Sequence, residues 1–298
     1  MINAPTLIAV DWGSSSFRAF LMADDGAVID ECKTNSGAFQ ISNYEETLRD
    51  ACKAWIAAHG KLPIRMAGSI GSRNGWHETG YVECPVAPND LRNAAVAVEN
   101  SMDWDISVLP GVCTKAGVGG GDVMRGEEIQ IFGALQIMDS SSGLFCLPGT
   151  HSKWCYVESG RITSIDSYLS GELFALVSQN GSLSAVIEGD DYDEQAFLEG
   201  FETVGRQSNL LKLLFRARAG VLLDQYSGAR LASFLSGALI GYEVRNAVSS
   251  VAPDETVTIV AGPELRARYE LVFRELDRLS QAIAGEEAFT KGMKLLVG

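Results

Sequence analysis

The chain has 298 residues, of which 46% are hydrophobic, so it has enough apolar side chains for sizeable cores and is not intrinsically disordered. Its length favours two domains of ordinary size. The formal net charge is −14, from 24 Lys and Arg against 38 Asp and Glu. This charge argues against a nucleic-acid-binding surface, because neutralising a phosphate backbone needs clustered basic side chains. It does not exclude phosphate ligands, which helix N-termini and glycine-rich turns bind through backbone N–H groups.

The six cysteines are scattered, without a C-x-x-C pair or a histidine at zinc-finger spacing, and are interpreted as reduced thiols. The opening residues, Met-Ile-Asn-Ala-Pro, lack the basic and apolar regions of a signal peptide. No apolar run approaches the ~18–20 residues of a membrane span. We therefore expect a cytoplasmic protein with neither a membrane nor a nucleic acid as partner.

The first part of the chain predicts a strand–turn–strand unit followed by helices and strands. Apolar runs over 6–11 and 17–22 flank a Gly-Ser-Ser-Ser turn, which is typical of two antiparallel strands. Apolar residues at helical spacing predict a helix over 44–58, which His59 and Gly60 close. We further predict strands over 62–68 and 106–109, a loop over 85–89 and a helix over 90–99.

The strand–turn–strand pattern recurs from residue 144, where LFCLP, GTHSK and WCYVESGRI give a strand, a polar turn and a returning strand. This recurrence indicates that each unit begins one half of the molecule; two ordinary β-hairpins are the alternative. GVGGG (117–121) separates the halves, and a helix is predicted to start at Asp122. The predicted domains are therefore 1–117 and 118–298.

The remainder of the second half is predicted to be mainly helical. The predicted elements are helices over 170–180, 193–223 and 228–248, a surface loop and helix start over 182–196, a strand over 257–262, a helix from Glu264 to Ala284, and a short strand or loop at AFTKGMKLL before a terminal helical stub.

The first candidate site is the turn Gly13-Ser14-Ser15-Ser16, which follows Asp11 at the end of the first strand. A turn of this composition can direct backbone N–H groups and serine hydroxyls at phosphate oxygens. Asp11 could hold a hydrated Mg²⁺, which keeps several waters and takes few protein ligands. An ordinary turn after a strand is the alternative.

The second candidate is the matching turn Gly149-Thr150-His151-Ser152-Lys153. Two such turns that face each other across a cleft could hold the β- and γ-phosphates of a nucleotide. The chain lacks both the G-x-x-x-x-G-K-[ST] and the G-x-G-x-x-G motif, so a nucleotide site must be of another type. His151 is favoured as a structural histidine over a catalytic one.

The third candidate is the stretch Gly119-Gly120-Gly121-Asp122, which leads to Arg125, Glu127 and Glu128. A carboxylate at a helix N-terminus is stabilised in its ionised form by the helix dipole. Such an ionised aspartate suits a base that removes a proton from an attacking hydroxyl. Helix capping by Asp122 and the two glutamates is the alternative, and it is compatible with catalysis.

The fourth candidate is the loop Gly68-Ser69-Ile70-Gly71-Ser72-Arg73-Asn74-Gly75-Trp76, which follows a strand. Small residues followed by Arg73 and Trp76 suit a loop that holds a polar, anionic ligand, and an arginine can bind a carboxylate through paired N–H bonds. A solvated arginine on a turn is the alternative.

The fifth candidate is Gly262, just past the strand over 257–261. A glycine at this place allows the close approach of a flat group such as adenine. An ordinary strand-to-helix turn has the same appearance.

Taken together, these segments resemble the 2-dehydro-3-deoxygalactonokinase family of the actin-like ATPase and sugar-kinase superfamily. The most specific matching segments are AGSIGSRNGW, DVMRGEE and LPGTHSKW, and the resemblance runs from about residue 7 to residue 292. It implies an α/β fold of two ribonuclease-H-like domains, each with a mixed five-stranded sheet, around an interdomain cleft. It also implies transfer of the γ-phosphoryl group of ATP, with Mg²⁺, to the C6 hydroxyl of 2-dehydro-3-deoxy-D-galactonate.

The resemblance also implies residue roles, with the sugar acid on the N-terminal side and the nucleotide on the C-terminal side. Asp122 is the expected catalytic base, with Glu127 or Glu128 as the alternatives, and Arg73 or Arg125 is expected to bind the substrate carboxylate. The expected nucleotide and phosphate ligands are Asp11 (also Mg²⁺, through water), Gly13, Ser14, Ser15, Ser16, Gly149, Thr150, His151, Ser152, Lys153 and Gly262. The expected substrate-binding residues are Ser72, Arg73, Trp76, Arg125 and Glu127.

Two other functions stay open from the sequence. One is a kinase for the gluconate epimer or another sugar acid. The epimer differs only in the configuration at one carbon, although a site that hydrogen-bonds that hydroxyl can discriminate strongly. A non-catalytic actin-like module that binds ATP and regulates a partner is the alternative of another class. A homodimer is expected only because symmetric dimers are common among soluble oligomers.

Overall fold

The structure, a computed structural model, describes residues 4–115, 120–206 and 209–297. Its strands are β1 (Pro5–Trp12), β2 (Phe17–Ala23), β3 (Val28–Thr34), β4 (Ile64–Ala67), β5 (Tyr81–Glu83), β6 (Val96–Ala97), β7 (Ile106–Val108), β8 (Gly111–Thr114), β9 (Asp122–Met124), β10 (Gly143–Leu147), β11 (Ser152–Glu158), β12 (Arg161–Tyr168), β13 (Val257–Ala261) and β14 (Ser280–Ala284). Its helices are α1 (Tyr44–His59), α2 (Pro88–Asn93), α3 (Glu127–Met138), α4 (Ser170–Gln179), α5 (Gly181–Ser184), α6 (Glu194–Arg206), α7 (Leu210–Leu222), α8 (Gly228–Ala247), α9 (Pro263–Glu275) and α10 (Gly285–Val297).

A six-stranded sheet holds the first predicted strand–turn–strand unit. Its strand order is β3-β2-β1-β4-β7-β6, with β1 antiparallel to β2 and parallel to β4. Helix α1 begins after Asn43, whose side chain accepts from the Glu46 N–H, and ends before Gly60, which has a φ of 81°. Trp12, Phe17 and Leu48 are buried in a core that lies against this sheet. The strand–turn–strand prediction and the α1 prediction are confirmed.

The second sheet has the strand order β12-β11-β10-β13-β14. Three consecutive strands lie side by side in reverse chain order, and two strands from later in the chain follow them. The first sheet has the same arrangement in β3-β2-β1-β4-β7. The recurrence seen in the sequence therefore extends to the topology. The first sheet has one strand more than the five implied, because the two-residue β6 pairs antiparallel with β7 at its edge.

A third, three-stranded sheet of order β5-β8-β9 was not predicted. Its strand β9 covers residues 122–124, so the prediction of a helix from Asp122 is wrong. Helix α3 begins only at Glu127, because Gly126 has a φ of 107°, which interrupts the helical conformation. The pairing of β9 with β8 thus determines the conformation of a segment with helical composition.

Helix α10 corrects the prediction of a strand or loop in the C-terminal segment. It packs on α3 at two glycines: a Cβ atom at Gly133 would lie 1.7 Å from the Ala288 oxygen, and one at Gly292 would lie 1.9 Å from the Ile129 oxygen. Only residues without a side chain permit this approach of the two helices.

Three further helix predictions were too long. The helix expected over 90–99 is α2, which ends at Asn93 before β6, and the helix expected from Glu264 to Ala284 is α9 followed by β14. The helical region 193–223 consists of two helices, α6 and α7. Within residues 4–115, 120–206 and 209–297, no helix combines the length and the apolar composition needed to span a membrane.

The chain forms two compact units, whose bounds differ from the predicted division at 117/118. The first unit comprises residues 1–145, 155–166 and 283–298, and the second comprises 146–154 and 167–282. The first unit extends beyond residue 117 because α3 and α10 pack against each other within it.

Candidate active site

The first candidate turn lies between β1 and β2 and is held by the segment 36–39. The Gly13 carbonyl accepts from the Ala38 N–H at 2.9 Å, and the Ser14 carbonyl accepts from the Phe39 N–H at 3.3 Å. A Cβ atom at Gly37 would lie 2.3 Å from the Ser14 oxygen, so a bare backbone is required there. Gly13, Ser14 and Ser16 are half-buried and Ser15 is exposed, as the ligands of a phosphate must be.

Asp11 lies at the start of this turn and is paired with a residue that the sequence analysis missed. Arg18 stands opposite Asp11 in the β1–β2 register, and its Nη2 lies 2.5 Å from Asp11 Oδ2. Burial raises the pKa of Asp11, an effect that the Arg18 guanidinium opposes. Counting outward from the centre of the hairpin turn would have identified this pair in the sequence.

The second candidate turn, between β10 and β11, lies against the start of α4. The Thr150 carbonyl accepts from the Glu172 N–H at 2.8 Å, and a Cβ atom at Gly171 would lie 2.2 Å from the Gly149 oxygen. His151 Nε2 forms a hydrogen bond with the Glu172 carboxylate. Thr150 and His151 are exposed and Gly149 is half-exposed, which suits contact with a ligand.

Ser152 and Lys153, the other predicted residues of this turn, are buried. Lys153 Nζ donates to the Ser167 hydroxyl at 2.6 Å. The Ser152 hydroxyl lies 3.0 Å from that of Tyr269, so both side chains have partners inside the protein.

Behind the second turn lies a buried polar network around Glu243 of α8, which the sequence analysis also missed. The Glu243 carboxylate accepts from the Tyr269 hydroxyl at 2.9 Å and from Trp154 Nε1 at 3.0 Å. Burial raises the pKa of Glu243, and hydrogen bonds from Ser170, Trp154 and Tyr269 oppose that effect. A single glutamate in the otherwise uncharged segment LASFLSGALIGYEV was the available sequence signal.

A small cavity adjoins the second turn within the same unit. Its lining includes Gly149, Phe174, Leu239, Leu265 and Arg268. The predicted Gly262 precedes α9, which carries two of these residues, and a Cβ atom there would meet no described atom within 4 Å. The cavity is lined mainly by apolar atoms, with one arginine among its residues.

Asp122 does not stand at a helix N-terminus, so the argument that the helix dipole keeps it ionised is wrong. It lies on β9, where its N–H donates to Thr114 Oγ1 at 3.2 Å and its Oδ1 accepts from the Val123 N–H at 2.7 Å. Its side chain is half-exposed. Residues 117–119 of the GVGGG segment lie outside the described residues.

Glu127 and Glu128, the alternative bases, hold the start of α3. Glu127 Oε2 accepts from the Arg125 N–H at 3.0 Å, and both oxygens of Glu128 lie 2.8 Å from the Gly126 nitrogen. Glu128 is fully buried, which raises its pKa to about 8. A buried carboxyl group that is protonated at neutral pH is a poor base for a substrate that enters from solvent.

The predicted substrate loop follows β4 and a 3₁₀ turn (Ser69–Gly71). Ser72 Oγ donates to the Ser69 carbonyl at 2.7 Å, and the Trp76 ring stacks on Tyr44 with centroids 6.0 Å apart. Arg73 is different, because 87% of its side chain is exposed and its Nε lies 3.7 Å from Glu78.

Arg125 is held far more firmly than Arg73. Its Nη1 donates to Thr79 Oγ1 at 2.6 Å, its Nη2 donates to the Gly80 carbonyl at 2.7 Å, and its guanidinium lies 4.5 Å from the Tyr81 ring centroid. The two arginines, equal alternatives in the sequence, are therefore unequal in the structure.

Comparison with known proteins gives consistent matches over the whole chain. A model of the 2-keto-3-deoxy-galactonokinase family matches residues 11–296. A Rhizobium meliloti protein assigned as a 2-dehydro-3-deoxygalactonokinase is 34% identical over 298 residues, 98% of this chain and 97% of the relative. The Escherichia coli 2-dehydro-3-deoxygalactonokinase is 31% identical over 289 residues, 96% of each chain.

Solved structures give the same result for the fold. A Sinorhizobium meliloti structure, assigned as a 2-dehydro-3-deoxygalactonokinase protein, has a TM-score of 0.88 at 33% identity and covers 97% of both chains. The Clostridium difficile activator of 2-hydroxyisocaproyl-CoA dehydratase, solved with ADPNP, has a TM-score of 0.54 at 11% identity, over 97% of this chain and 92% of the other. That identity supports the fold alone, and the predicted actin-like ATPase fold class is confirmed.

Proposed function

This chain belongs to the 2-keto-3-deoxy-galactonokinase family, and we propose that it transfers the γ-phosphoryl group of ATP to the C6 hydroxyl of 2-dehydro-3-deoxy-D-galactonate. The observation that carries the proposal is the family match over residues 11–296, with 34% and 31% identity to relatives assigned to this activity. The protein is a phosphotransferase with an alcohol group as acceptor.

The two candidate turns are the proposed ligands of the ATP phosphates. Both expose backbone and hydroxyl groups after a buried strand, and both are kept in shape by a glycine packed against them. The apolar cavity beside Gly149 is the proposed site of the adenine base, with Gly262 at the start of α9. Phosphoryl transfer passes through a loose transition state, so holding these phosphates in position is the main task of the protein.

Asp11 is the proposed protein ligand of the Mg²⁺ that accompanies ATP, acting through water. Arg18 occupies Oδ2, so the proposal assigns Oδ1 to this role. Among the described residues no group of three or more acidic, His or Cys side chains could hold a metal ion. One carboxylate with waters and phosphate oxygens is a normal Mg²⁺ environment, and the ion neutralises phosphate charge when bound.

Asp122 is the proposed base that orients and deprotonates the C6 hydroxyl. Its half-exposed position on β9 favours it over Glu128, which is buried with a raised pKa. Over Glu127, which is also half-exposed and also accepts a backbone N–H, it is preferred on the family resemblance. Arg73 is the proposed ligand of the substrate carboxylate because most of its side chain is exposed. Ser72 and Trp76 complete the proposed sugar-acid site in the first unit.

A coupled ADP-release assay with Mg²⁺-ATP tests the function. It compares 2-dehydro-3-deoxygalactonate, its gluconate epimer, galactonate and no sugar. We expect strong turnover with the first compound alone. Equal turnover with both epimers would keep the kinase and remove the specificity, whereas sugar-independent hydrolysis alone would favour the regulatory module.

The variant Asp122→Asn tests the base. We expect turnover to fall ~10²-fold or more with ATP binding nearly unchanged, because general base catalysis contributes typically ~10²–10⁴-fold. Asp139→Asn is the matched control, since Asp139 ends α3 in a left-handed conformation that asparagine tolerates. Turnover of Asp122→Asn at the wild-type rate would remove Asp122 from this role.

The cytoplasm and a homodimer remain the proposed location and assembly.

A further inference from the structure

The segment between Gly71 and Gly80 is closed at its base by Thr79. The Thr79 N–H and its hydroxyl both donate to the Gly71 carbonyl, at 3.0 Å and 3.2 Å. Ser72, Arg73 and Trp76, the proposed substrate-binding residues, all lie inside this closed segment. We call residues 72–80 the substrate loop.

Arg125 holds the C-terminal end of the substrate loop by hydrogen bonds and lies against Gly71 at its N-terminal end. Its Nη1 donates to Thr79 Oγ1 and its Nη2 to the Gly80 carbonyl, while its guanidinium covers the Tyr81 ring at the start of β5. At the other end, a Cβ atom at Gly71 would lie 2.9 Å from Arg125 Nη1 and 2.8 Å from Thr79 Oγ1. The guanidinium therefore fits into a space that exists only because residue 71 is glycine.

The backbone of Arg125 continues directly from β9, which carries Asp122 three residues earlier. Its own N–H is held by Glu127, and Arg125 Nε is buried without a hydrogen-bond partner among the described residues. A carboxylate that approached from solvent could not reach Nε. Nη1 and Nη2 each donate one of their two N–H groups to the substrate loop.

We propose that Arg125 is a positioning residue, which fixes the substrate loop to the strand that carries Asp122, and that it does not bind the substrate carboxylate. This inference rests on the proposed function for the identity of the substrate. It assigns carboxylate recognition to Arg73 alone. It also explains why the arginine follows Asp122 so closely in the chain: one guanidinium sets the distance between the base and the substrate loop.

The test uses the sugar acid and its carboxamide, which lacks the negative charge, as paired substrates. In Arg125→Gln we expect kcat to fall ~10²-fold for both compounds, because misplacement of reacting groups by about 1 Å can cost this much. The ratio of their kcat/KM values stays as in the wild type. In Arg73→Gln that ratio falls towards one. Loss of the ratio in Arg125→Gln would overturn the proposal.

Thr79→Val supplies an independent arm, because it removes the acceptor without touching Arg125. We expect it to lower kcat in the same direction, and we expect the double variant to be little worse than Arg125→Gln, as for residues that act through one contact. Arg125→Lys keeps the charge and should fall between the wild type and Arg125→Gln. Additive effects of Thr79→Val and Arg125→Gln would contradict the proposal.

Hydrogen exchange of the substrate loop, measured without any ligand, separates this proposal from the proposed function. We expect faster exchange over residues 72–80 in Arg125→Gln and Thr79→Val, and wild-type exchange in Arg65→Gln, which removes the Arg65–Asp105 pair elsewhere in the same unit. Unchanged exchange in the first two variants would overturn the positioning role. If the wild type phosphorylates no sugar acid, the proposed function fails, and the exchange result still decides how the loop is held.

Discussion

The first candidate turn (13–16) and the second (149–152) are built on the same plan. Each follows a buried strand and lies against a glycine of its own unit. A Cβ atom at Gly37 would lie 2.3 Å from the Ser14 oxygen, and one at Gly171 would lie 2.2 Å from the Gly149 oxygen. Both turns therefore depend on a bare backbone opposite them, which keeps their peptide groups in one conformation.

The two turns differ in the carboxyl group beside them. Asp11 has a cationic partner in Arg18, whereas Glu243 has the neutral donors Tyr269 and Trp154. Burial raises the pKa of both carboxyls, but only a guanidinium adds an attraction of opposite charge for the ionised form. The carboxyl group beside the first turn therefore has a cationic partner, while the carboxyl group behind the second turn has neutral partners.

Asp11→Asn is the strongest test of this difference. The change keeps the size of the side chain and removes the negative charge of the proposed Mg²⁺ ligand. We therefore expect turnover to fall ~10²-fold or more and the Mg²⁺ concentration needed for half-maximal turnover to rise. Steady-state rates over a Mg²⁺ titration measure the effect. Asp105→Asn is the control, because Asp105 forms an exposed pair with Arg65. Wild-type turnover at ordinary Mg²⁺ concentrations would show that the two turns do not differ in this way.

Gly37→Ala and Gly171→Ala test what the two turns share. Each added methyl group must displace the facing turn, so we expect KM for ATP to rise ~10-fold and unfolding to become easier by about 1–3 kcal/mol, as in overpacked sites. Gly220→Ala in α7 is the control, because a Cβ atom at Gly220 would lie 3.6 Å from Tyr226 Cβ, an ordinary van der Waals distance. An unchanged KM in Gly171→Ala alone would exclude the second turn as a phosphate ligand.

Glu243→Gln tests the effect of burial on the Glu243 carboxyl group through the pH dependence of stability. The pKa of Glu243 in the folded protein is higher than its ordinary value of 4.5, so the protonated carboxyl group favours the folded state. This contribution to stability is complete below pH 4.5 and is lost as the pH rises through the pKa of the folded protein. We therefore expect the unfolding free energy of the wild type to fall relative to Glu243→Gln above pH 4.5, by at most about 1.4 kcal/mol per pH unit. Urea unfolding at several pH values measures it. A pH-independent difference would contradict the account.

Much of the fold was predictable where a local pattern and the tertiary structure agree. Helix α1 has an amphipathic pattern, a capping asparagine and a closing glycine, and its predicted bounds are nearly correct. Both strand–turn–strand units were also predictable, because each alternates apolar strands with a polar turn that contains glycine. The division into units was not, since it depends on α3 packing against α10, which is distant in sequence.

The errors lie where a distant contact decides the local conformation. Residues 122–124 pair with β8, and Gly126 adopts a φ that prevents the helix from starting earlier. Gly292 lowers the helix propensity of α10, yet it is needed for the approach to α3. The residues of these two segments alone do not reveal which strand or helix they contact.

The candidate site was predictable in its residue types but not in their partners. The two turns, Asp122 and Arg73 were all selected from motifs, and their roles are proposals. The sequence could not separate Arg73 from Arg125, because what distinguishes them is the Thr79–Gly80 contact of one and the exposure of the other.

The central claim is that the γ-phosphoryl group is transferred to the sugar acid and not to water. Phosphorus NMR of a reaction with Mg²⁺-ATP and 2-dehydro-3-deoxygalactonate tests it most directly. We expect a phosphomonoester signal coupled to the C6 protons, in an amount equal to the ADP formed. Inorganic phosphate as the sole new product would contradict it.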